Sequence, residues 1–443
     1  MRKIFSIAYG TFIEAFRSWL FLSLFLAGIF LLLVSVFLPA VHPDDRLKLL
    51  LNVQITSLTL FSSMAMVFFM APALPREIEE RTLYPVLAKP VGRSVYLQGR
   101  LLGALAFGLA GIGLASFLGL LYFVIGFPVL MDKGSSAHPM QYLASDEKSP
   151  RFDGEGLFIL SHFPKDKLWL NERGNHTATW TFDQLDRLPQ TPESLDLVLE
   201  MDRININTLA KAAKVHVAVI GGNSKVLFSK ETYLEEKGPT LVPVDHDLLS
   251  GRQRIEIALR PRETSYFISV GPESVRLGYR GGSSLWANYF RAAMGAFFAL
   301  ALITVVSLAA STYFSQKMAI AIGLFTYVAG NTLPYLRSFA RLLKGGLDEE
   351  ALTIPGMEGA QATLGALSKE DLPWMEWLTW LKSPLEAFCD LFPDFQKFDL
   401  TQPLIEGIYI ENHLLSQAGF YLLAYSFPLF LISVAIFHRR ELK

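Results

Sequence analysis

The run Trp19–Ala40 (W-L-F-L-S-L-F-L-A-G-I-F-L-L-L-V-S-V-F-L-P-A) contains no charged residue. A helix that crosses a bilayer needs about 20 mainly apolar residues, so this run predicts a transmembrane span. Its apolar core exceeds the roughly 7–15 residues of a signal-peptide core, which favours a permanent helix over a cleaved leader. Five further apolar runs predict five more spans, and they are Leu49–Leu74, Leu101–Val129, Leu285–Phe314, Met318–Leu336 and Ala418–Phe437.

The composition of the chain agrees with a membrane protein. Its 443 residues carry 40 Lys and Arg against 41 Asp and Glu, and this near-neutral balance argues against a nucleic-acid binder, which carries a basic excess. Hydrophobic residues make up 51% of the chain and charged residues 18%, below the ~25% of typical soluble domains. These values exclude disorder and disfavour an ordinary cytosolic enzyme. The one cysteine, Cys389, excludes an internal disulfide framework and a thiolate zinc cluster.

Basic residues in the short loops predict the orientation of the chain. They lie before the first span, between the second and third, between the fourth and fifth, and after the sixth: Arg2, Lys3, Arg17, Arg76, Arg81, Lys89, Arg93, Arg100, Lys317, Arg439, Arg440 and Lys443. Because Lys and Arg favour cytoplasmic loops, both termini are expected in the cytoplasm. Arg337, Arg341 and Lys344 fall on the outer side, but they belong to a long segment where the rule weakens.

Residues 131–284 separate the third span from the fourth and are expected outside the membrane. Short runs rich in Val, Ile and Leu, or alternating in polarity, predict strands at Thr177–Phe182, Leu195–Met201, Val215–Ile220, Lys225–Ser229, Arg254–Leu259, Tyr266–Val270 and Ser274–Tyr279. Gly221–Asn223, between two of these runs, indicates a hairpin. The expected fold is a membrane all-α bundle of six transmembrane helices, formed by residues 1–130 and 285–443, with an inserted extracytoplasmic β-sandwich or jelly-roll-like domain.

A second outer segment, residues 337–417, is expected to be helical. Trp374, Trp377 and Trp380 recur every third residue, and Trp prefers the membrane–water interface. Three arrangements remain open for this segment: helices resting on the membrane surface, helices that enter the membrane partway, and a lid packed on the helical bundle.

Residues 2–19 have helical periodicity. Phe5, Tyr9, Phe12 and Phe16 fall on one face, and polar residues occupy the opposite face. Such a helix is expected to lie in the plane of the membrane interface with its apolar face toward lipid. The alternative is that the segment extends the first span.

The stretch from Pro75 to Gly103 (P-R-E-I-E-E-R-T-L-Y-P-V-L-A-K-P-V-G-R-S-V-Y-L-Q-G-R-L-L-G) joins the second span to the third. A dense group of charges is followed by apolar side chains, in the order Arg76, Glu77, Glu79, Glu80, Arg81, Thr82, Leu83 and Tyr84. A short helix that exposes Leu83 and Tyr84 suits docking into a groove of another protein. The alternative is a solvated charged loop.

This stretch resembles the cytoplasmic loop of the type-2 ABC transporter permeases. In that family E-x-E-x-x-T precedes L-x-K-P-x-x-R-x-x-Y-x-x-G-(K/R)-x-x-G. The residues that match here are Glu77, Glu79, Thr82, Leu87, Lys89, Pro90, Arg93, Tyr96, Gly99, Arg100 and Gly103. The ending Phe437–Leu442 (F-H-R-R-E-L) is similar to the family's F-x-R-R-E-L, and the six-span layout agrees. The β insertion departs from the plain family pattern.

The resemblance implies a permease subunit of an exporter or of an energy-transducing complex, with no cofactor of its own. It implies a second permease copy, identical or different, and a separate ATP-binding subunit that carries ATP and magnesium. The loop helix near residues 76–87 and the N-terminal helix would contact that subunit. The sequence contains no G-x-x-x-x-G-K-[ST] phosphate-binding loop, in agreement with this role. The β insertion leaves the substrate open, and we expect it to gate an exit or to hold a periplasmic partner.

Two other functions compete with transport. A membrane-embedded enzyme would need ionisable residues inside its spans. Arg291 is the one charged residue in the fourth run, and the other five runs contain none, which argues against an enzyme. A receptor or scaffold whose β domain binds a periplasmic partner fits the same sequence. The uncharged spans favour an apolar or lipid-linked cargo, or mechanical work on the β domain.

Overall fold

The computed structural model divides the chain into two compact units. The helical unit comprises residues 1–137, 286–406 and 410–443, and the β unit comprises residues 138–285 and 407–409. The structure describes the chain apart from Met1 and residues 38–42, 84, 86–91, 127–138, 144, 147–149, 154–167, 171, 173–175, 184, 186–187, 189–191, 193, 202, 206–212, 222–224, 235–238, 250–253, 263–265, 281–283, 344–381 and 441–443.

The described residues form helices in both units. In chain order they are α1 (Arg2–Phe16), α2 (Trp19–Val34), α3 (Pro43–Met70), α4 (Ala73–Glu79), α5 (Arg93–Gly126), α6 (His246–Leu249), α7 (Leu285–Tyr313), α8 (Gln316–Leu343), α9 (Lys382–Leu391), α10 (Thr401–Ile405) and α11 (Asn412–Arg439). Two 3₁₀ turns add Ser35–Phe37 and Phe395–Phe398.

Five helical stretches of the described residues are long and apolar enough to cross a membrane. They are Lys48–Glu79, Arg93–Phe123, Leu285–Tyr313, Gln316–Arg337 and Asn412–Arg439. They correspond to the second to sixth predicted spans and indicate a multi-pass membrane protein. Helix α2 has 16 residues, which at about 1.5 Å per residue falls short of a full bilayer core. The first span therefore stays a prediction, since residues 38–42 lie outside the described part of the chain.

Two clusters of buried apolar side chains hold the helical unit together. The first joins α1, α3, α5, α7 and the end of α11, with Ala15, Met66, Leu97, Leu300 and Phe437 among its members. The second joins α3, α7, α8 and α11 with the turn Phe395–Phe398, and it includes Val67, Leu302, Tyr327, Phe398 and Ala418. The helices are thus packed on one another through these two clusters rather than being independent spans.

The turn Phe395–Phe398 shows where part of the second outer segment lies. Phe395 packs on Tyr327 of α8 with ring centroids 5.5 Å apart, and Phe398 packs on Phe298 of α7 at 6.4 Å. Arg337 Nη1 pairs with Asp394 Oδ2 at 2.5 Å. This part of the segment is packed into the helical unit, as expected for a lid or a partly inserted segment. Trp374, Trp377 and Trp380 lie outside the described residues.

The β unit is built from antiparallel strands. The described strands are β1 (Gln141–Leu143), β2 (Arg151–Asp153), β3 (Leu168–Leu170), β4 (Thr177–Phe182), β5 (Ser194–Leu199), β6 (Arg203–Asn205), β7 (Lys214–Gly221), β8 (Val226–Tyr233), β9 (Thr240–Pro243), β10 (Ile255–Pro261), β11 (Tyr266–Val270) and β12 (Val275–Arg280). They form three sheets with the orders β1-β12-β5-β9, β2-β4-β10-β7-β8 and β3-β11-β6. The predicted insertion of a β domain is confirmed, whereas the jelly-roll connectivity is not.

One apolar core serves all three sheets. Leu197 and Leu277 reach it from the four-stranded sheet, Trp180 and Ile257 from the five-stranded sheet, and Ile268 from the three-stranded sheet. Alternation of buried and partly exposed positions along β7 and β10 places one face of each strand in this core. The separate core explains why the β unit is compact by itself.

The predicted hairpin around Gly221 is confirmed. Strands β7 and β8 pair antiparallel, and the Gly221 amide donates a hydrogen bond to the Lys225 carbonyl at 2.9 Å. The register shifts between Val219 and Ile220, so the ladder is irregular near the turn, as at a β-bulge. Residues 222–224 lie outside the described part of the chain.

Trp180→Ala should destabilise the β unit. Trp180 is fully buried, and its indole N–H donates to the Gly271 carbonyl at 3.0 Å. Losing the ring costs about 3–5 kcal/mol, and the carbonyl loses its partner. Limited proteolysis of the detergent-solubilised chain should show faster cleavage between residues 139 and 284. The control is Tyr233→Ala, which removes an exposed aromatic side chain of β8; equal cleavage of the two variants would contradict this account of the core.

Candidate functional site

The charged loop helix α4 follows α3 after a two-residue turn. Its first residues, Ala73, Leu74 and Pro75, are buried in the helical unit. The charged end is different, because Glu79 and Glu80 are exposed and Arg76 pairs with Glu80 on the surface at 2.8 Å. The helix is therefore anchored at its apolar end and presents its charged end to solvent.

The end of α4 is fixed by a residue in the left-handed region. Arg81 has φ of +59°, a conformation that non-glycine residues adopt infrequently and that commonly terminates helices. Thr82 then donates its hydroxyl to the Glu77 carbonyl at 3.4 Å. Leu83, which follows, is only 1% exposed and belongs to the same buried apolar cluster as Tyr96 and Leu97.

The burial of Leu83 corrects one expectation. The sequence suggested that Leu83 and Tyr84 form an exposed docking surface, but Leu83 is part of the first apolar cluster of the helical unit. An amphipathic pattern does not distinguish a partner protein from the chain's own helices, and here Leu83 is buried by the helical unit itself. Tyr84, Lys89 and Pro90 lie outside the described residues.

Arg100 of α5 joins three helices through buried ion pairs. Its side chain is 4% exposed and pairs with Glu14 of α1 and with Glu77 of α4. Tyr96, one turn earlier, donates its hydroxyl to Glu77 and accepts a hydrogen bond from Arg100 Nε at 3.1 Å. A buried guanidinium is tolerated when carboxylates pair with its charge in this way. We call Glu14, Glu77, Tyr96 and Arg100 the junction.

Two glycines let α1 lie directly on α5 beside the junction. A Cβ on Gly99 would lie 2.7 Å from Ile7 Cβ, and a Cβ on Gly103 would lie 2.7 Å from Thr11 Cβ and against the Ala8 carbonyl oxygen. Backbone atoms cannot turn away, so any side chain at Gly103 would push the helices apart. The close contact between α1 and α5 thus explains why glycine occupies positions 99 and 103 of the quoted sequence pattern.

Three of the four aromatic residues that define the predicted interfacial face of α1 are exposed in the structure. Phe5, Tyr9 and Phe16 are each about 70% exposed, as a helix lying at a lipid surface would require. Phe12 differs, because it is partly buried and its ring meets Phe107 of α5 edge-on at 5.4 Å. Phe12 sits at the border between the aromatic face and the face that packs on α5, so it contributes to the helical unit.

Arg93, the remaining described residue of the predicted loop site, lies at the first turn of α5. Its guanidinium donates hydrogen bonds to backbone carbonyls at the end of α11. Sequence reasoning missed this contact, since the partners are more than 340 positions away in the chain.

The described residues contain no group of three or more His, Cys, Asp or Glu side chains placed to hold a metal ion. No family model matches the sequence, and the comparison with curated proteins gives no match. The candidate site is therefore defined by its geometry, namely the ion pairs and hydrogen bonds that connect α1, α4 and α5.

Arg100→Gln should destabilise the helical unit. Removing one partner of a buried ion pair costs roughly 3–5 kcal/mol, and we expect the lower end because Glu14 is half exposed. The thermal midpoint in detergent should fall by roughly 5 °C or more. Arg76→Gln, at a surface pair, is the control and should change it little. Similar midpoints for the two variants would show that the junction is not a structural element.

Gly103→Ala should weaken the packing of α1 on α5 by about 1–3 kcal/mol, although Ala favours helix formation by about 1 kcal/mol over Gly. Gly113→Ala, on the same helix with nothing within 4 Å of the added Cβ, is the matched control and should be neutral or stabilising. Thermal midpoints and the rate of proteolytic release of the N-terminal segment measure the difference. A Gly103→Ala variant as stable as Gly113→Ala would contradict the close approach.

Proposed function

We propose that this chain is the permease subunit of a type-2 ABC exporter or of a related energy-transducing complex. In this proposal it lies in a bacterial inner membrane with both termini in the cytoplasm and the β unit outside. A second permease copy and a separate ATP-binding subunit complete the complex. The described residues support this proposal through one observation, the junction at Arg100.

The junction supports coupling because it connects an exposed charged helix end to long apolar helices. Glu79 and Glu80 face solvent, whereas Glu77 on the same short helix is paired with Arg100. A solvated loop, the alternative drawn from composition, has no need of a buried ion pair. A protein that contacts the exposed end of α4 would push on α1 and α5 through Glu77.

The proposed mechanism follows from the continuity of α3 and α4. The stretch Lys48–Glu79 behaves as one long helical run with a short turn after Met70. ATP binding would bring two ATP-binding subunits together and displace α4, and α3 and α5 would move with it. Such a displacement performs work only when the partner contacts α4 differently in its two nucleotide states. The junction is the element that would carry this difference into the membrane.

A receptor or scaffold function stays as the second candidate because the β unit has its own apolar core. A domain of that kind can bind a periplasmic partner without any motion of the helical unit. The two functions differ in one testable respect, since a receptor needs no ATP-binding subunit.

The proposal is tested by purifying the tagged chain from native membranes in a mild detergent and assaying ATP hydrolysis. We expect an ATP-binding subunit to co-purify, and Glu79→Lys to lower its recovery about tenfold by reversing an exposed charge at the contact. Glu200→Lys, an exposed charge of the β unit, is the control and should leave recovery unchanged. Absence of any ATP-binding subunit from the purified complex would exclude the permease function and favour the receptor.

A further inference from the structure

We infer that Arg93 and Arg440 act as positioning residues, which cap the ends of α11 and α7 in succession and so extend the junction to the C-terminal helices. This inference rests on the proposed function for its role in coupling, although the two caps are properties of the chain itself. Arg440 would then do more than anchor the last span at the membrane surface by its charge.

Arg93 caps the end of α11. Its Nη1 donates to the carbonyls of Phe437, His438 and Arg440 at 2.7, 3.0 and 2.9 Å. The last carbonyls of a helix have no partner within the helix, and a cation at that end also opposes the negative pole of the helix dipole. The guanidinium additionally lies 5.6 Å from the centre of the Phe437 ring. Arg93 thus fixes α11 to the first turn of α5.

Arg440 repeats the arrangement one helix further on. Its Nη1 donates to the Thr312 carbonyl, in the last turn of α7, at 2.7 Å. Its own amide donates to the Ile436 carbonyl at 3.0 Å, which keeps the backbone close to α11 where the side chain leaves it. Thr312 is fully buried, so water does not readily replace Arg440 at this carbonyl.

The Arg93 cap and the junction share one face of α5. Arg93, Tyr96 and Arg100 are three and four residues apart, a spacing that aligns side chains along a helix. Arg100 reaches α1 and α4, Arg93 reaches α11, and Arg440 continues from α11 to α7. A displacement of α5 must therefore carry α11 and α7 along or break these hydrogen bonds.

All three hydrogen bonds to the end of α11 leave one nitrogen, Nη1 of Arg93. Because Nη1 carries two N–H groups, at least one of them is shared between two carbonyls. Arg93→Gln removes both these bonds and the positive charge that opposes the negative pole of the helix dipole.

Hydrogen exchange of the purified chain tests the caps without any partner. We expect Arg440→Gln to accelerate exchange about tenfold in the last turn of α7, near residues 310–314, because its cap is lost. Arg93→Gln should do the same in the last turn of α11. Arg439→Gln is the matched control, since it removes an exposed neighbouring charge. Unchanged exchange in α7 for Arg440→Gln, or equal effects of Arg439→Gln, would overturn the inference.

The role in coupling is tested in the complex with its ATP-binding subunit. Addition of ATP should alter exchange in α4 and in α7 of the unmodified chain and of Arg439→Gln. In Arg440→Gln the change in α4 should persist and the change in α7 should disappear. An ATP-dependent change in α7 that survives in Arg440→Gln would refute the relay. If no ATP-binding subunit is found, the proposed function fails, and the exchange of the isolated chain still decides whether the caps exist.

Discussion

The buried guanidinium of Arg100 is the constraint on which the helical unit depends. Its side chain is 4% exposed and lies between carboxylates of two other helices, Glu14 and Glu77. Charges in such surroundings are stable only while all partners stay in position, because an unpaired one is far more costly than the pair is favourable. α1, α4 and α5 are thereby held as one body, and Gly99 and Gly103 allow the backbone contact that completes it.

The organisation of the chain was predictable where the sequence pattern is local. Strands such as Thr177–Phe182 coincide with their alternating runs, because one face of each strand enters the core of the β unit. Five apolar spans were found for a similar reason, since hydropathy over about 20 residues does not depend on the neighbours. The Gly221 hairpin followed from turn chemistry alone.

The junction was less predictable because its partners lie far apart in the chain. The face of α1 that packs on α5 is made of Ile7, Ala8 and Thr11, which carry a weaker signal than the aromatic face, and the glycines opposite decide the contact. Leu83 follows a charged helix in the sequence, as a docking residue would, yet it is buried in the first apolar cluster of the helical unit. The bond from Arg93 to the end of α11 has no local signal beyond a basic residue near the start of a helix.

Two helices of the helical unit follow segments of the β unit in the chain. α7 begins directly after the last strands of the β unit, and α11 begins shortly after Gly407–Tyr409, which belong to that unit through the backbone bonds of Met140 with Gly407 at 2.7 Å and Tyr409 at 2.8 Å. α7 and α11 are also the helices that Arg440 and Arg93 cap.

The claim that a cytoplasmic ATP-binding subunit drives the helical unit through α4 requires α4 to lie on the cytoplasmic side of the membrane. The most direct test is to label Glu80→Cys, in a Cys389→Ser background, in whole cells. If α4 is cytoplasmic, a membrane-impermeant maleimide labels Glu80→Cys only after the cells are permeabilised, whereas it labels Tyr233→Cys of the β unit in intact cells. Labelling of Glu80→Cys in intact cells would place α4 outside, where no ATP-driven partner can reach it.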